Sequence, residues 1–168
     1  ATFNVDPGET VTCVFTNTAQ SGSLTVIKEV VGRAPGTDWV FSGDLGGFSI
    51  SALGGSNVSN GLPAGTYAIS ETVKTGYVAT VSCDNDDSGS DSIAVDLGPG
   101  EDVVCTFTNT AQPGSITVEK VVVGDAPDTP WDFTGDLGAF SLAAGGGSTT
   151  FSDLAADTYT INEITLEG

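Results

Sequence analysis

The chain has 168 residues, of which 22 are acidic and 4 are basic, and its formal net charge is −18. Phosphate backbones and anionic membrane surfaces repel such a polyanion, so nucleic acid is excluded as a partner and direct membrane insertion is not expected. Glycine is abundant at 23 residues, His and Met are missing, and Thr, Val and Ser are frequent, which is typical of short strands joined by tight turns.

The sequence repeats itself at an offset of 92 residues. Residues 21–32 (SGSLTVIKEVVG) align without a gap with 113–124 (PGSITVEKVVVG), and 11–20 (VTCVFTNTAQ) align with 103–112 (VVCTFTNTAQ). Similarity at one fixed offset indicates a tandem array. We therefore expect three parts: the C-terminal strands of a preceding repeat in 1–20, one complete repeat in 21–112, and the N-terminal part of the next repeat in 113–168. The two flanks together supply every repeat position except the counterparts of 77–92.

Alternation of apolar and polar residues predicts eight short strands in the complete repeat. In chain order they are about 23–31, 38–42, 47–51, 56–60, 66–73, 77–83, 92–97 and 102–109. Turn sequences rich in Gly, Pro and Asp separate them. Short strands at this spacing predict an all-β fold made of tandem Ig-like sandwiches, each with two sheets.

Three polar residues each stand at the end of an apolar strand face. Side chains alternate along a strand, so Lys28 shares a face with Leu24 and Val26 in LTVIK. The strands YAISE and CTFTNT place Glu71 and Asn109 in the same way. A lone charge in a core costs several kcal/mol, so these groups must pair, neutralise or react.

Reaction would produce a covalent crosslink between the first and last strands. Burial lowers the pKa of Lys28 and raises that of Glu71, which gives an amine nucleophile and a protonated acid. Glu71 could then polarise the Asn109 carboxamide while the amine attacks and ammonia leaves. This isopeptide triad would act once, without a cofactor, and would not turn over substrate. The alternative is an unreacted, hydrogen-bonded Lys–Glu pair.

The same residues resemble the Cna B-type (SpaA-like, prealbumin-fold) repeats of bacterial surface adhesins and pilins. The resemblance lies in GSLTVIK (22–28), LPAGTYAISE (62–71) and FTNT (107–110), taken in that order. It implies that Lys28 is the nucleophile, Glu71 the catalytic acid and Asn109 the acceptor. The segment ETVKTGY is one residue shorter than the family pattern after the Glu and lacks its Pro.

The flanking repeats carry incomplete triads. Lys120 and Glu163 are the counterparts of Lys28 and Glu71, and Asn17 is the counterpart of Asn109. Their partners would come from copies of the same unit. The copies would be joined either by tandem continuity of one long chain or by strand complementation between chains into a filament.

The cysteines indicate an oxidising environment. Cys83 and Cys105 stand at inward positions of strands expected to be neighbours, so we expect a disulfide between them. Cys13 is the counterpart of Cys105, and its partner would lie among the missing counterparts of 77–92. A disulfide framework favours an extracellular or cell-surface location.

The acidic segment DNDDSGSD (84–91) partly matches a calcium-binding loop. Asp84, Asp86 and Ser88 occupy alternate positions before Gly89, but Val95 stands where such a loop has a bidentate Glu. The alternatives are a calcium site made by these three residues and a solvated acidic hairpin tip.

These observations favour a structural repeat of an extracellular filament, pilus or adhesin stalk. The second hypothesis is an adhesive module that binds a glycan or protein ligand through its loops. An enzyme ranks last, because the sequence has no His and no phosphate-binding Gly-rich loop between a strand and a helix.

Overall fold

The computed structural model describes residues 2–165, and within them the chain is all-β. Nine strands form a first unit: β1 Gly22–Val31, β2 Trp39–Gly43, β3 Phe48–Ile50, β4 Gly55–Leu62, β5 Gly65–Glu71, β6 Tyr77–Cys83, β7 Ser88–Gly89, β8 Ser92–Leu97 and β9 Asp102–Ala111. Five strands form a second unit: β10 Gly114–Lys120, β11 Trp131–Gly135, β12 Phe140–Leu142, β13 Gly147–Leu154 and β14 Ile161–Glu163. No helix long and apolar enough to cross a membrane occurs in this part of the chain.

The first unit is a two-sheet sandwich. One sheet has the strand order β4-β1-β9-β6-β7 and the other has the order β3-β2-β5-β8. All neighbours are antiparallel except β1 and β9, the first and last long strands, which run parallel side by side. This parallel pair brings the beginning and the end of the repeat together.

Alternation along the strands builds the core between the sheets. In β1 the side chains of Leu24, Val26 and Lys28 are buried, whereas the residues between them are half-exposed. Phe107 of β9 meets Phe41 of β2 edge to face across the two sheets, with ring centroids 5.2 Å apart. Burial of such aromatic pairs is a main source of stability in a domain of this size.

The predicted strands of the complete repeat are confirmed, with no end shifted by more than two residues. The structure adds one short strand to this set. β7 lies inside the acidic segment and pairs with β6, and the Asp87 carbonyl beside it accepts a hydrogen bond from the Cys83 amide at 2.8 Å. The all-β sandwich class is confirmed.

The second unit reproduces only part of the first. β10 pairs with β13, as β1 does with β4, and β11 lies between β12 and β14, as β2 lies between β3 and β5. Within residues 2–165, no strand lies beside β10 or β14 where the first unit has β9 or β8. The inward residues Ile116 and Val118 are only half-buried as a result.

Residues 2–20 form no strand in the structure and are exposed throughout. The sequence predicts strands here, but a strand needs a hydrogen-bonded neighbour, and this segment lies beside none among the described residues. The assignment of 1–20 to a preceding repeat, and the other repeat boundaries, stay predictions. Residues 166–168 of the third predicted part lie outside the described residues.

Candidate functional site

The three predicted triad residues meet inside the first sandwich. β1 and β9 place Lys28 and Asn109 on the inner face of one sheet, and β5 places Glu71 on the inner face of the other. The parallel register sets Lys28 opposite Phe107 and Val30 opposite Asn109, so Lys28 and Asn109 are diagonal neighbours on the same face. The site therefore depends on both sheets.

One carboxylate oxygen joins the two other side chains. Glu71 Oε1 lies 3.2 Å from Lys28 Nζ and accepts a hydrogen bond from Asn109 Nδ2 at 3.1 Å. Lys28 Nζ also donates to Glu71 Oε2 at 3.4 Å and to the main-chain carbonyl of Phe107 at 3.1 Å. The amine and the carboxamide are thus held on the same atom of the acid.

Water is excluded from this cluster. Relative exposure is 2% for Lys28, 4% for Glu71 and 0% for Asn109. The Trp39 ring covers the amine, with its centroid 4.6 Å from Lys28 Nζ, and the Trp39 indole N–H donates to the Ala52 carbonyl at 3.3 Å, which holds the ring in place. Electrostatic interactions in such a dry site are stronger than at the surface.

Burial shifts both ionisable groups toward their neutral forms. It lowers the pKa of Lys28, and the attraction of Glu71 offsets this only in part. Burial also raises the pKa of Glu71, against the opposing effects of Lys28 and Asn109. Both shifts are toward the uncharged amine and the protonated carboxyl group, the two forms that amide formation requires.

Asn109 has one unsatisfied atom. Its buried Oδ1 has no hydrogen-bond partner, which costs about 1–3 kcal/mol in a dry environment. A protonated Glu71 is a hydrogen-bond donor, and rotation of the carboxamide about χ2 would exchange Nδ2 and Oδ1 at the Glu71 contact. The acid could then polarise the carbonyl that the amine attacks.

The second unit contains the counterpart of two of these three residues. Lys120 Nζ lies 2.7 Å from Glu163 Oε1, and the Trp131 ring centroid lies 3.7 Å from the same amine. The side chains of Lys120 and Glu163 are 18% and 37% exposed, in contrast to the fully buried pair of the first unit. Asn17, the third predicted member, is exposed in the strandless segment and does not meet them.

The predicted disulfide between Cys83 and Cys105 is present. The two residues are directly opposite each other in the antiparallel pair β6–β9, so the bond ties the last long strand to its other neighbour. Cys13 is a free, exposed thiol.

The acidic segment is organised by hydrogen bonds to the backbone. Asp84 Oδ1 accepts from the Val104 amide at 2.9 Å, and Asp87 Oδ2 accepts from the Asp96 amide at 3.2 Å and from the Asn85 side chain at 2.9 Å. Asp86 adopts a positive φ of 71°, and Ser88 belongs to β7. Across residues 2–165, no three His, Cys, Asp or Glu side chains are grouped to hold a metal ion. A calcium site at Asp84, Asp86 and Ser88 stays a prediction.

Two contacts of the site were not anticipated from the sequence. The first is the hydrogen bond that the Phe107 main-chain carbonyl accepts from Lys28. A pattern of side chains in the sequence does not indicate which main-chain carbonyl will be an acceptor. The second contact is that of the Trp39 ring with the Lys28 amine, and the recurrence of this residue as Trp131 beside Lys120 is the sequence signal that could have revealed it.

Comparison with known proteins defines what is shared. No family profile matches the sequence, and no curated protein sequence matches it. Several solved structures are similar to it, and two of them are described here. A bacterial adhesin from Mobiluncus mulieris containing intramolecular disulfide, isopeptide and ester bond cross-links has a TM-score of 0.45 and 21% identity, over 55% of this chain and 42% of that chain. The Bacillus anthracis TIE protein has a TM-score of 0.51 and 21% identity, over 86% of this chain and 28% of that chain.

The chain thus spans less than half the length of either neighbour. The similarity to the Bacillus anthracis TIE protein supports the sandwich fold. The resemblance to Cna B-type repeats at the level of family stays a prediction.

Proposed function

We propose that this protein is a structural module of an extracellular surface filament, pilus or adhesin stalk, stabilised by an isopeptide bond between Lys28 and Asn109 and by the Cys83–Cys105 disulfide. One observation carries the proposal: Lys28 Nζ and Asn109 Nδ2 both contact Glu71 Oε1 in a site without access to water. A permanent covalent link between strands suits a filament stalk better than it suits a ligand-binding module.

The bond would form by attack of the amine, proton transfer and loss of ammonia. The neutral amine of Lys28 attacks Cγ of Asn109 while protonated Glu71 donates a hydrogen bond to Oδ1. A proton then passes from Nζ through the Glu71 carboxyl group to Nδ2. The Cγ–Nδ2 bond breaks, ammonia leaves, and an Nζ–Cγ amide remains with Glu71 restored. No cofactor or external reactant enters, and the product cannot turn over again.

The position of the bond fits a load-bearing role. β1 and β9 are the first and last long strands of the unit, and they are adjacent and parallel. Tension applied at Gly22 and Ala111 would pass along β1 to Lys28, across the amide, and out through Asn109. The segment between these two residues would carry no load, so the sandwich could not be pulled open from its ends.

The disulfide supports the extracellular part of the proposal. Such bonds persist in oxidising compartments and are rare where thiols are kept reduced. With Cys83–Cys105 linking β6 to β9 and the amide linking β9 to β1, three adjacent strands of one sheet would be joined covalently.

Intact mass measured under denaturing conditions tests the proposal. We expect the chain to be lighter than its sequence mass by one ammonia, about 17 Da, beyond the two hydrogens lost in the disulfide. Fragmentation should place the link between Lys28 and Asn109. The Glu71→Gln variant, which keeps the shape of the side chain but cannot shuttle protons, should have full mass. A wild-type chain without the deficit would show that the site is an unreacted buried pair instead.

A further inference from the structure

Both sheets of the second unit have an open edge at corresponding places. In the first unit β1 pairs with β9 and β5 pairs with β8. Their counterparts β10 and β14 have, among the described residues, a neighbour on one side only, namely β13 and β11. An open edge presents unpaired N–H and C=O groups that another strand can occupy.

The second unit loses strand structure just where those neighbours are missing. β1 continues through Val31, but β10 ends at Lys120, and β1 beyond Lys28 is paired only with β9. In the same way, β5 begins at Gly65 and its first residues pair only with β8, whereas β14 begins at Ile161. Residues 121–123 and 157–160 are therefore the positions at which an added neighbouring strand would lengthen β10 and β14.

Open space lies at both ends of β10. An open cavity of about 400 Å³ is bordered by Lys120, Val122 and Trp131, and another of about 210 Å³ by Ile116 and Tyr159. The counterparts of these residues in the first unit line the packed core or the buried triad.

Residues 2–18 carry the sequence that would fill this space. The segment 11–20 differs from 103–112, which contains most of β9, only at Thr12 and Val14. The counterparts of those two residues point outward from the sandwich, and every inward residue is identical: Val11, Cys13, Phe15 and Asn17 match Val103, Cys105, Phe107 and Asn109.

The apolar residues of this segment are exposed. Relative exposure is 83% for Phe15, 63% for Val5 and 53% for Phe3, whereas their counterparts Phe107, Leu97 and Val95 are at most 3% exposed. Large apolar side chains left in water in this number mark an interaction surface.

The turn between the two prospective strands is already formed. The Glu9 amide donates to the Asp6 carbonyl at 3.0 Å, and the Asp6 amide donates to the Glu9 side chain at 3.0 Å. The β8–β9 turn has the same two bonds between Gly98 and Glu101, and both turns have a glycine at positive φ one residue before the Glu. The segment is thus preorganised to offer one strand to each sheet.

We propose that residues 2–18 of one copy dock onto the second unit of another copy of this chain. Residues 2–5 add to residues 157–160, which lead into β14, as β8 adds to the first residues of β5, and residues 10–18 add in parallel to β10 and residues 121–123 as β9 does to β1. The register of the first unit sets Cys13 opposite Val118, Phe15 opposite Lys120 and Asn17 opposite Val122. A donor at one end and an acceptor at the other generate head-to-tail rings or filaments.

Docking would bring Asn17 next to the Lys120–Glu163 pair. If the chemistry proposed above for Lys28 and Asn109 is correct, the same step would follow: an amide would form between Lys120 Nζ and Asn17 Cγ, and ammonia would leave. This covalent step rests on the proposed function, whereas docking itself does not.

Association of the 168-residue chain tests the docking. In a Cys13→Ala background, which prevents disulfide-linked dimers, light scattering across a concentration series should show oligomers. Phe15→Asp should abolish them, and the matched control Val14→Thr, which introduces the residue found at that position in β9, should leave them unchanged. Neither substitution alters a packed unit, because both residues are more than 80% exposed. A monomer at all concentrations, or oligomers indifferent to Phe15→Asp, would overturn the proposal.

Hydrogen exchange identifies the mode of contact. On association, amides of residues 121–123 and 157–160 should become protected as they join extended strands, and Phe15→Asp should remove that protection. Oligomers without protection at these two segments would show that the contact lies elsewhere.

A denaturing gel and peptide mass analysis then separate the covalent step from docking. A Lys120–Asn17 link that Lys120→Arg removes, with association intact, supports it. If Lys28 and Asn109 are joined but Lys120 and Asn17 are not, only the covalent step between copies is wrong. If Lys28 and Asn109 are not joined, the proposed function fails, and the association experiment still decides the docking.

Discussion

Lys28 and Glu71 contact each other across the two sheets of the sandwich, with 3.2 Å between Nζ and Oε1 and no exposure of either side-chain terminus. A buried ion pair of this kind adds little net stability, because the desolvation of both charges offsets their attraction. A pair that instead reacts would remove both the charge and the desolvation cost.

Loss of the crosslink should destabilise the chain strongly. An amide between Lys28 and Asn109 closes a loop of about 80 residues. The lost entropy raises the free energy of the unfolded chain by about 4.5 kcal/mol at room temperature. We expect Glu71→Gln to lower the free energy of unfolding of the first unit by about this amount, measured by urea denaturation with Trp39 fluorescence.

The matched control for that experiment is Glu163→Gln in the second unit. Its partner Lys120 is partly exposed, and pairs of this type contribute about 1 kcal/mol or less. Equal losses in the two variants would contradict a covalent role for Glu71.

The pH dependence of an uncrosslinked variant should reveal the raised pKa of Glu71. In Asn109→Ala no amide can form, and burial still holds the pKa of Glu71 above its ordinary value of 4.5. The folded state then binds this proton more tightly than the unfolded state. Stability from protonated Glu71 is therefore fully present below pH 4.5 and is lost as the pH rises through the folded pKa.

The comparison is between Asn109→Ala and the double variant that also carries Glu71→Gln, which cannot titrate there. The advantage of the single variant in unfolding free energy should shrink from acidic toward neutral pH. Lys28 adds to the same trend. Glu71 raises the pKa of Lys28, so the pKa of Lys28 is lower still in the double variant, and the protonated amine destabilises the double variant more at acidic pH. An advantage that grows with pH would show that Glu71 is held as a carboxylate.

Removal of the disulfide should have a smaller effect than removal of the amide. Cys83 and Cys105 are 22 residues apart, so the chain-entropy argument predicts a loss of about 3 kcal/mol in the variant with both residues changed to Ala. Thermal unfolding under non-reducing conditions would measure it. Cys13→Ala should leave the melting temperature unchanged, because that thiol is free and exposed.

Calcium should not raise the melting temperature beyond the effect of ionic strength. The Asp84 and Asp87 carboxylates already accept backbone hydrogen bonds, and the described residues contain no group of three acidic side chains placed for a metal. Because a chain of net charge −18 is stabilised by any added salt, the control is NaCl at equal ionic strength. A shift specific to calcium and removed by Asp84→Ala would establish the loop as a calcium site.

The sequence by itself determined the strands and the inward side chains. Strand periodicity is a local property, since successive side chains point to opposite faces, so alternation in LTVIK and CTFTNT was enough to place Lys28 and Asn109 in the core. The repeat then singled out the same positions in a second copy, and inward parity also predicted the pairing of Cys83 with Cys105.

Only the tertiary structure decided which of these residues meet. The parallel register of β1 with β9 joins residues far apart in the chain, and nothing local specifies that Lys28 lies opposite Phe107 or that Glu71 Oε1 contacts both nitrogens. Residues 11–18 and 103–110 have nearly the same sequence, yet one is exposed and strandless and the other is a central strand. The difference arises because a strand is stable only beside a neighbour that satisfies its backbone and covers its apolar face.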